Sequence, residues 1–193
     1  QITYCGSLGN NTSFEYIDAI QVADLNNSSG NNGGYADYTN LAANVSLGQT
    51  VNVTLTPGFS GTNYSEWWRI WIDYNQDGDF DDAGETVLSP ATSNATISSS
   101  FVIPGSASTG ATRMRISMKW GDTYATPCES FSFGEVEDYT IVIGGNSLDD
   151  GIQANASFEG FDVGIIGQPL TYTHDERVAL RLKLFPNPVQ DIL

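Results

Sequence analysis

The chain has 193 residues, with 23 acids against seven bases and a formal net charge of −16. Phosphate binding needs clustered Lys and Arg, so this balance argues against nucleic acid as a partner and disfavours an anionic membrane surface. It favours divalent cations instead, and no apolar run approaches the length of a membrane span.

Hydrophobic residues make up 40% of the chain and charged residues only 16%. Asn, Ser, Thr and Gly therefore supply most of the polar surface, a mix that suits strands and turns better than helices. The length allows one sizeable domain, or a domain with a tail. The chain begins at Gln1 rather than Met and is read as a mature form with a leader removed. The two cysteines, Cys5 and Cys128, are expected to form a disulfide in an oxidising compartment; two unrelated thiols are the alternative. Closing so long a loop stabilises by roughly 4–5 kcal/mol in the chain-entropy model.

Residues 1–143 alternate in polarity far more than they follow a helical period. ANVSLGQTVNVTLTPG (43–58) reads as two strands around a Gly-Gln turn, with Val51, Val53 and Leu55 on one face. YSEWWRIWIDY (64–74) is apolar on both faces. Tyr64, Trp68, Ile70 and Ile72 lie on one and Trp67 and Trp71 on the other, as expected of a central strand covered on both sides.

DYNQDGDFDDAGE (73–85) follows, with six acids and no base in thirteen residues. Asp73, Asn75, Asp77 and Asp79 are spaced by two, Gly78 follows Asp77, and Glu85 closes the run. Alternate spacing lets side-chain oxygens converge in a curling loop. Glycine permits a sharp turn, and a distal acid supplies a further carboxylate, which are the needs of Ca²⁺. Glu85 is the thirteenth position and strands flank the loop, so an EF-hand is excluded and a variant calcium loop is expected. Asp79 is open to ligation through its carbonyl, and Asp81 or Asp82 to replacing another ligand. The plain alternative is a hydrophilic hairpin tip. Zinc fits poorly, because His174 is the one histidine and zinc prefers His and Cys.

ATISSSFVIP (95–104) reads as a strand closed by Pro104. In TRMRISMKW (112–120), Met114, Ile116, Met118 and Trp120 point one way and Arg113, Arg115, Ser117 and Lys119 the other. EVEDYTIVI (135–143) is a last strand before Gly144-Gly145. Seven or more strands with Gly-, Asn- and Pro-rich turns predict an all-β, β-sandwich or jelly-roll-like domain over 1–145. Residues 146–176 read as a linker. In 177–193, Val178, Leu180, Leu182 and Leu184 alternate with polar or small residues until Pro186 and Pro188, which reads as a short β tail opening a further unit.

Glu135, Glu137 and Asp138 are candidate recognition or metal residues. The structural reading pairs Glu135 and Glu137 with Arg69, Arg113 or Arg115 of neighbouring strands, and it is preferred. Asp37 either completes a second cation site or caps a turn. Trp67, Trp68, Trp71 and Trp120 form either an aromatic platform for sugars or part of the core, and core is the commoner fate. No nucleophile motif, zinc-protease motif or phosphate-cradling loop is present.

YCGSLGNNTSFEYI near the start, GYADYT (34–39), WRIWIDYNQDGDFDDAGE (68–85) and FGEVEDYTIVI (133–143) resemble the GEVED domain of secreted Bacteroidetes-type proteins. The likeness extends over about residues 3–143 and includes the GEVED string itself, Gly134 to Asp138. It implies a non-catalytic β-sandwich module attached to secreted peptidases, glycosidases or adhesin-like proteins. LKLFPNPVQDIL (182–193) resembles the start of a type A C-terminal sorting domain of the type IX secretion system. Its motif is Phe185-Pro186-Asn187-Pro188, and Leu193 ends the sequence before the further strands of such a domain. That resemblance implies export across the outer membrane to the medium or cell surface, with the translocon or its shuttle proteins as partners. The expected function is a calcium-stabilised binding or structural module with a glycan or surface protein as ligand. The rival expectation is a secreted Ca²⁺-dependent glycosidase or peptidase, or the accessory domain of one.

Overall fold

Met114, Ile116 and Met118 alternate with polar residues, so an extended backbone sends all three to one face. Their strand is the middle of a five-stranded sheet. The computed structural model describes residues 2–144. In chain order the strands are β1 (Leu8–Gly9), β2 (Glu15–Val22), β3 (Leu25–Asn27), β4 (Tyr35–Ser46), β5 (Thr50–Phe59) and β6 (Glu66–Ile72). They continue as β7 (Thr86–Ser93), β8 (Ile97–Val102), β9 (Gly110–Trp120), β10 (Ser130–Phe131) and β11 (Gly134–Gly144). One sheet runs β4-β11-β9-β6-β7, a second β3-β2-β5-β8, and β1 pairs with β10. The two large sheets form a β-sandwich, as expected. Neighbours within them are antiparallel except β4 and β11, which run parallel.

The apolar faces of the two sheets meet in one core. Ile17, Ile20, Val22, Val51, Val53, Leu55 and Phe101 come from the four-stranded sheet. Trp68, Ile70, Ile72, Met114, Ile116, Met118, Tyr139, Ile141 and Ile143 come from the five-stranded one. Trp68 is fully buried here, and truncating such a side chain typically costs about 3–5 kcal/mol. The expected reversal between 43 and 58 is a chain passing from one sheet to the other. Gly48 has φ of 76°, and its N–H donates to the Ile103 carbonyl at 2.9 Å.

The second face of the five-stranded sheet is covered as well. Trp71, Phe80, Ala125, Phe131 and Val136 form a smaller cluster with Tyr4 against it. The double-sided apolarity of β6 has this cause. Arg115 and Ser117, on the polar side of β9, are therefore buried rather than solvated. The Cys5–Cys128 disulfide is formed and ties the N-terminal segment to the loop before β10. The linker over 146–176 and the β tail over 177–193 lie outside the described residues.

Candidate functional site

The acidic loop joins β6 to β7, and its two ends are anchored from inside. Asp73 is buried. Its Oδ1 accepts the N–H groups of Gln76 at 2.6 Å and Asp77 at 3.3 Å. Its Oδ2 accepts Gly78 N–H at 3.1 Å and the Tyr4 hydroxyl at 2.6 Å. These bonds curl the chain back on itself, which requires left-handed backbone at Gln76 (φ 64°) and Gly78 (φ 100°). A Cβ at Gly78 would also meet Ile2 Cγ2 at 2.7 Å. Burial, then the bond to Asp73, pushes the Tyr4 phenol up to about 12. Glu85, buried at the far end, accepts Tyr74 N–H at 2.8 Å and Asp82 N–H at 3.3 Å. Burial raises its pKa, and those N–H groups oppose the rise.

Between these anchors the exposed tip gathers three carboxylates. Oxygens of Asp77, Asp79 and Asp82 all lie within 4.8 Å of one another. The Asn75 amide bridges two of them, donating to Asp77 Oδ2 at 2.8 Å and Asp82 Oδ2 at 2.6 Å. Of the five sequence candidates, the structure brings Asp77 and Asp79 together, adds Asp82, and sets Asn75 against Asp77 and Asp82. It places Asp73 and Glu85 beneath, as acceptors for loop backbone. The donor set fits a hard cation. It offers only oxygens, and oxygens within 4.8 Å of one another can share one ion at Ca–O distances of about 2.3–2.6 Å.

The acids of the 134–138 segment have separate tasks. On β11, Glu135 and Glu137 stand opposite Met118 and Ile116 and so face the gap between the sheets. Glu135 accepts Ile17 N–H at 2.9 Å through Oε2, and Asn32 N–H at 2.7 Å and Gly34 N–H at 3.4 Å through Oε1. Glu137 accepts the Tyr139 hydroxyl at 2.8 Å and Asn32 Nδ2 at 3.4 Å, and burial pushes it up to about 7. Neither meets an arginine among the described residues. The expected pairing falls instead to Asp138, because it stands opposite Arg115 on the other face. Its Oδ1 accepts Arg115 Nε at 2.7 Å. Its Oδ2 accepts Arg115 Nη2 at 2.8 Å, Arg113 Nη1 at 2.7 Å and the Tyr35 hydroxyl at 3.1 Å.

Arg115 reaches further. Its Nη1 donates to the carbonyls of Pro127 at 2.6 Å and Cys5 at 3.0 Å, so it holds both segments that the disulfide joins. Arg69 lies over the Tyr124 ring, 4.3 Å from the centroid, and donates to the Ala125 carbonyl at 3.3 Å. The glycine of the same segment permits a close backbone approach. Gly134 has φ of 115°, and a Cβ there would overlap the Met118 carbonyl.

Asp37 is exposed and accepts Thr39 N–H at 3.0 Å. It caps the irregular stretch where β4 shifts register against β11. The four tryptophans share no surface. Trp68 and Trp71 are buried on opposite faces of β6, Trp67 donates to the Gly121 carbonyl at 2.9 Å, and Trp120 is exposed at the end of β9. Phe185 to Pro188 lie outside the described residues. Glu15 and Glu66, both buried, were not singled out by sequence reasoning. The signal available for Glu66 was an acid at an inward position of the alternating β6; for Glu15 the broken alternation of β2 hid it.

The geometry defines an all-β sandwich with an oxygen-rich loop tip and a buried ionic cluster. Residues 67–142 match the family model described as the GEVED domain, which takes in β6 to β11 and the acidic loop. No curated protein matches the chain. Among solved structures, the chain is similar to the CARDB domain of a Pyrococcus furiosus protein, crystallised in complex with di-metal ions. The two share 10% identity with a TM-score of 0.35, over 70% of this chain and 98% of that one.

Proposed function

We propose that residues 2–144 act as a non-catalytic binding or structural module of a secreted or cell-surface protein, stabilised by Ca²⁺ at the loop tip. The observation that carries this reading is the convergence of Asp77, Asp79 and Asp82 on a loop whose ends are fixed by buried Asp73 and Glu85. Without a cation, like charges crowd the tip and only the Asn75 amide lies between two of them. With one, repulsion becomes coordination. Asp77, Asp79 and Asp82 would supply carboxylates, and Asn75 an amide oxygen once its side chain turns over.

The match over 67–142 supports the module class. The segment's acids also fit it, because all three are engaged in holding strands and loops together. The disulfide supports an oxidising location. Export by the type IX pathway, with the translocon or a shuttle protein engaging Phe185 to Pro188, extends the same reading.

Thermal melts with Ca²⁺ and with a chelator test the metal. Ca²⁺ at 100 times its dissociation constant adds about 2.7 kcal/mol of stability, and combined D77N, D79N and D82N substitutions abolish the gain. Equal melting temperatures in both conditions refute calcium binding. Export is tested separately, by replacing Phe185 to Pro188 with alanines in the full-length protein and measuring its fraction in the medium; an unchanged fraction refutes the sorting role.

A further inference from the structure

The inward face of β2 begins at Glu15 and that of β6 at Glu66, so closing the sandwich brings two acids together at its edge. This is the end of β6 remote from the acidic loop. Both residues are buried, and neither carboxylate oxygen of Glu66 has a hydrogen-bond partner among the described residues. Burial, then the charge of Glu15, pushes Glu66 up to about 8. The four basic side chains of the described residues are engaged elsewhere. Arg113 and Arg115 hold Asp138, Lys119 pairs with Glu129 at 2.6 Å, and Arg69 packs on Tyr124.

A cavity of about 170 Å³ opens over Glu15, lined by Phe14, Glu15, Tyr64, Trp120 and Phe133; Glu66 does not line it and is coupled to it through the charge of Glu15. Trp120 stands opposite Glu66 in the β6–β9 register. The rings meet edge-on, with centroids 5.9 Å apart for Phe14 and Phe133, 5.6 Å for Trp120 and Phe133, and 6.0 Å for Tyr64 and Trp120. Backbone bonds hold the rim: Trp120 N–H to the Phe133 carbonyl at 3.2 Å, and Ser60 N–H to that of Phe14 at 2.9 Å. Even so, Phe14 is 51% exposed, Trp120 43% and Tyr64 39%.

We propose that this cavity binds an alkylammonium group, with a lysine side chain as the fitting ligand, its stem between the rings and its charge directed to Glu15, whose neighbour Glu66 adds to the negative field. Aromatic faces attract cations, and buried carboxylates are stable in ionised form only when paired. A cation stabilises ionisation of the pair, which a sugar or other neutral ligand does not, and a bare metal ion would not use the aromatic rim. The inference goes beyond the module reading above and does not depend on a cation at the acidic loop.

The test is an NMR titration of the ¹⁵N-labelled full chain, following the Trp120 indole N–H, in buffer free of amines. The probes are Nα-acetyl-lysine methylamide, its norleucine counterpart, n-butylammonium, n-butanol and Ca²⁺. Both charged probes should give saturable shifts, and the norleucine and butanol probes should bind at least tenfold more weakly. A tighter lysine amide than butylammonium identifies a protein side chain as the source; the reverse order identifies a free amine. Combined E15Q and E66Q substitutions should weaken the charged probes at least tenfold. Equal binding of lysine and norleucine probes overturns the proposal on the wild-type chain alone. Absence of saturation, or the same indole shift with Ca²⁺, overturns it too.

Discussion

Consider Glu66→Gln in a buffer without amines. The substitution keeps the side chain's shape and removes its ability to ionise. In the folded protein burial, then Glu15, raises the Glu66 pKa to about 8, against 4.5 for the free group. The folded state therefore holds a proton that the unfolded state releases, and stability falls as pH rises from about 4.5 through about 8. A shift of that size, at about 1.4 kcal/mol per unit, sets a ceiling of about 5 kcal/mol. Glu15, whose charge contributes to the shift, lines an open cavity, so water reduces the effect, and about 2–3 kcal/mol is the expected value. Against a total of roughly 5–15 kcal/mol, such a change is readily measured. Urea unfolding followed by tryptophan fluorescence at pH 5, 7 and 9 provides the assay. Wild type and variant should agree within about 1 kcal/mol at pH 5, and the variant should be the more stable at pH 9. A constant difference across the three pH values, or a wild type that gains on the variant at pH 9, refutes the reasoning.

Asp138→Asn leaves Arg115 buried without a charge partner and should cost about 3–5 kcal/mol in urea unfolding. Arg115→Met together with Asp138→Leu should recover part of that loss, because the fully buried lone charge is removed and Arg113, which also loses Asp138, is 23% exposed and reaches water. Cys5→Ser with Cys128→Ser opens a loop of sequence separation 123 and should lower stability by roughly 4–5 kcal/mol in the chain-entropy model, read as a drop in melting temperature. Gly134→Ala drives a side chain into the Met118 carbonyl at a positive φ and should cost at least about 2 kcal/mol by the same melts.

Strands with uninterrupted alternation were legible from the residues themselves. β6, β9 and β11 follow the pattern of Trp68, Ile70, Ile72, of Met114, Ile116, Met118, and of Tyr139, Ile141, Ile143. β2 was not, because a register shift between Ile17 and Ala19 puts Ile17 and Ile20, three positions apart, on one face. β7 contains Pro90, which reads as a break; it is an edge strand, where a missing N–H is tolerated. The oxygen-rich tip was legible from the spacing of Asp77 and Asp79. The use of Asp73 as a buried acceptor was not, because it depends on Tyr4, 69 positions away. The arginine partner was misassigned to Glu135 and Glu137 because spacing alone does not say which face of β11 meets the second sheet.

The position of β11 between β4 and β9 governs what can be cut from this protein. A fragment restricted to residues 67–142 would lack β2, β4 and β5. Ile70, Ile116 and Ile141 would then face solvent, and one flank of β11 would be left with open N–H and C=O groups. Such a fragment is a recipe for aggregation. The stretch that carries the family signature is thus only part of the cooperative unit, and autonomous expression has to begin upstream of β2, with the N-terminal cysteine retained.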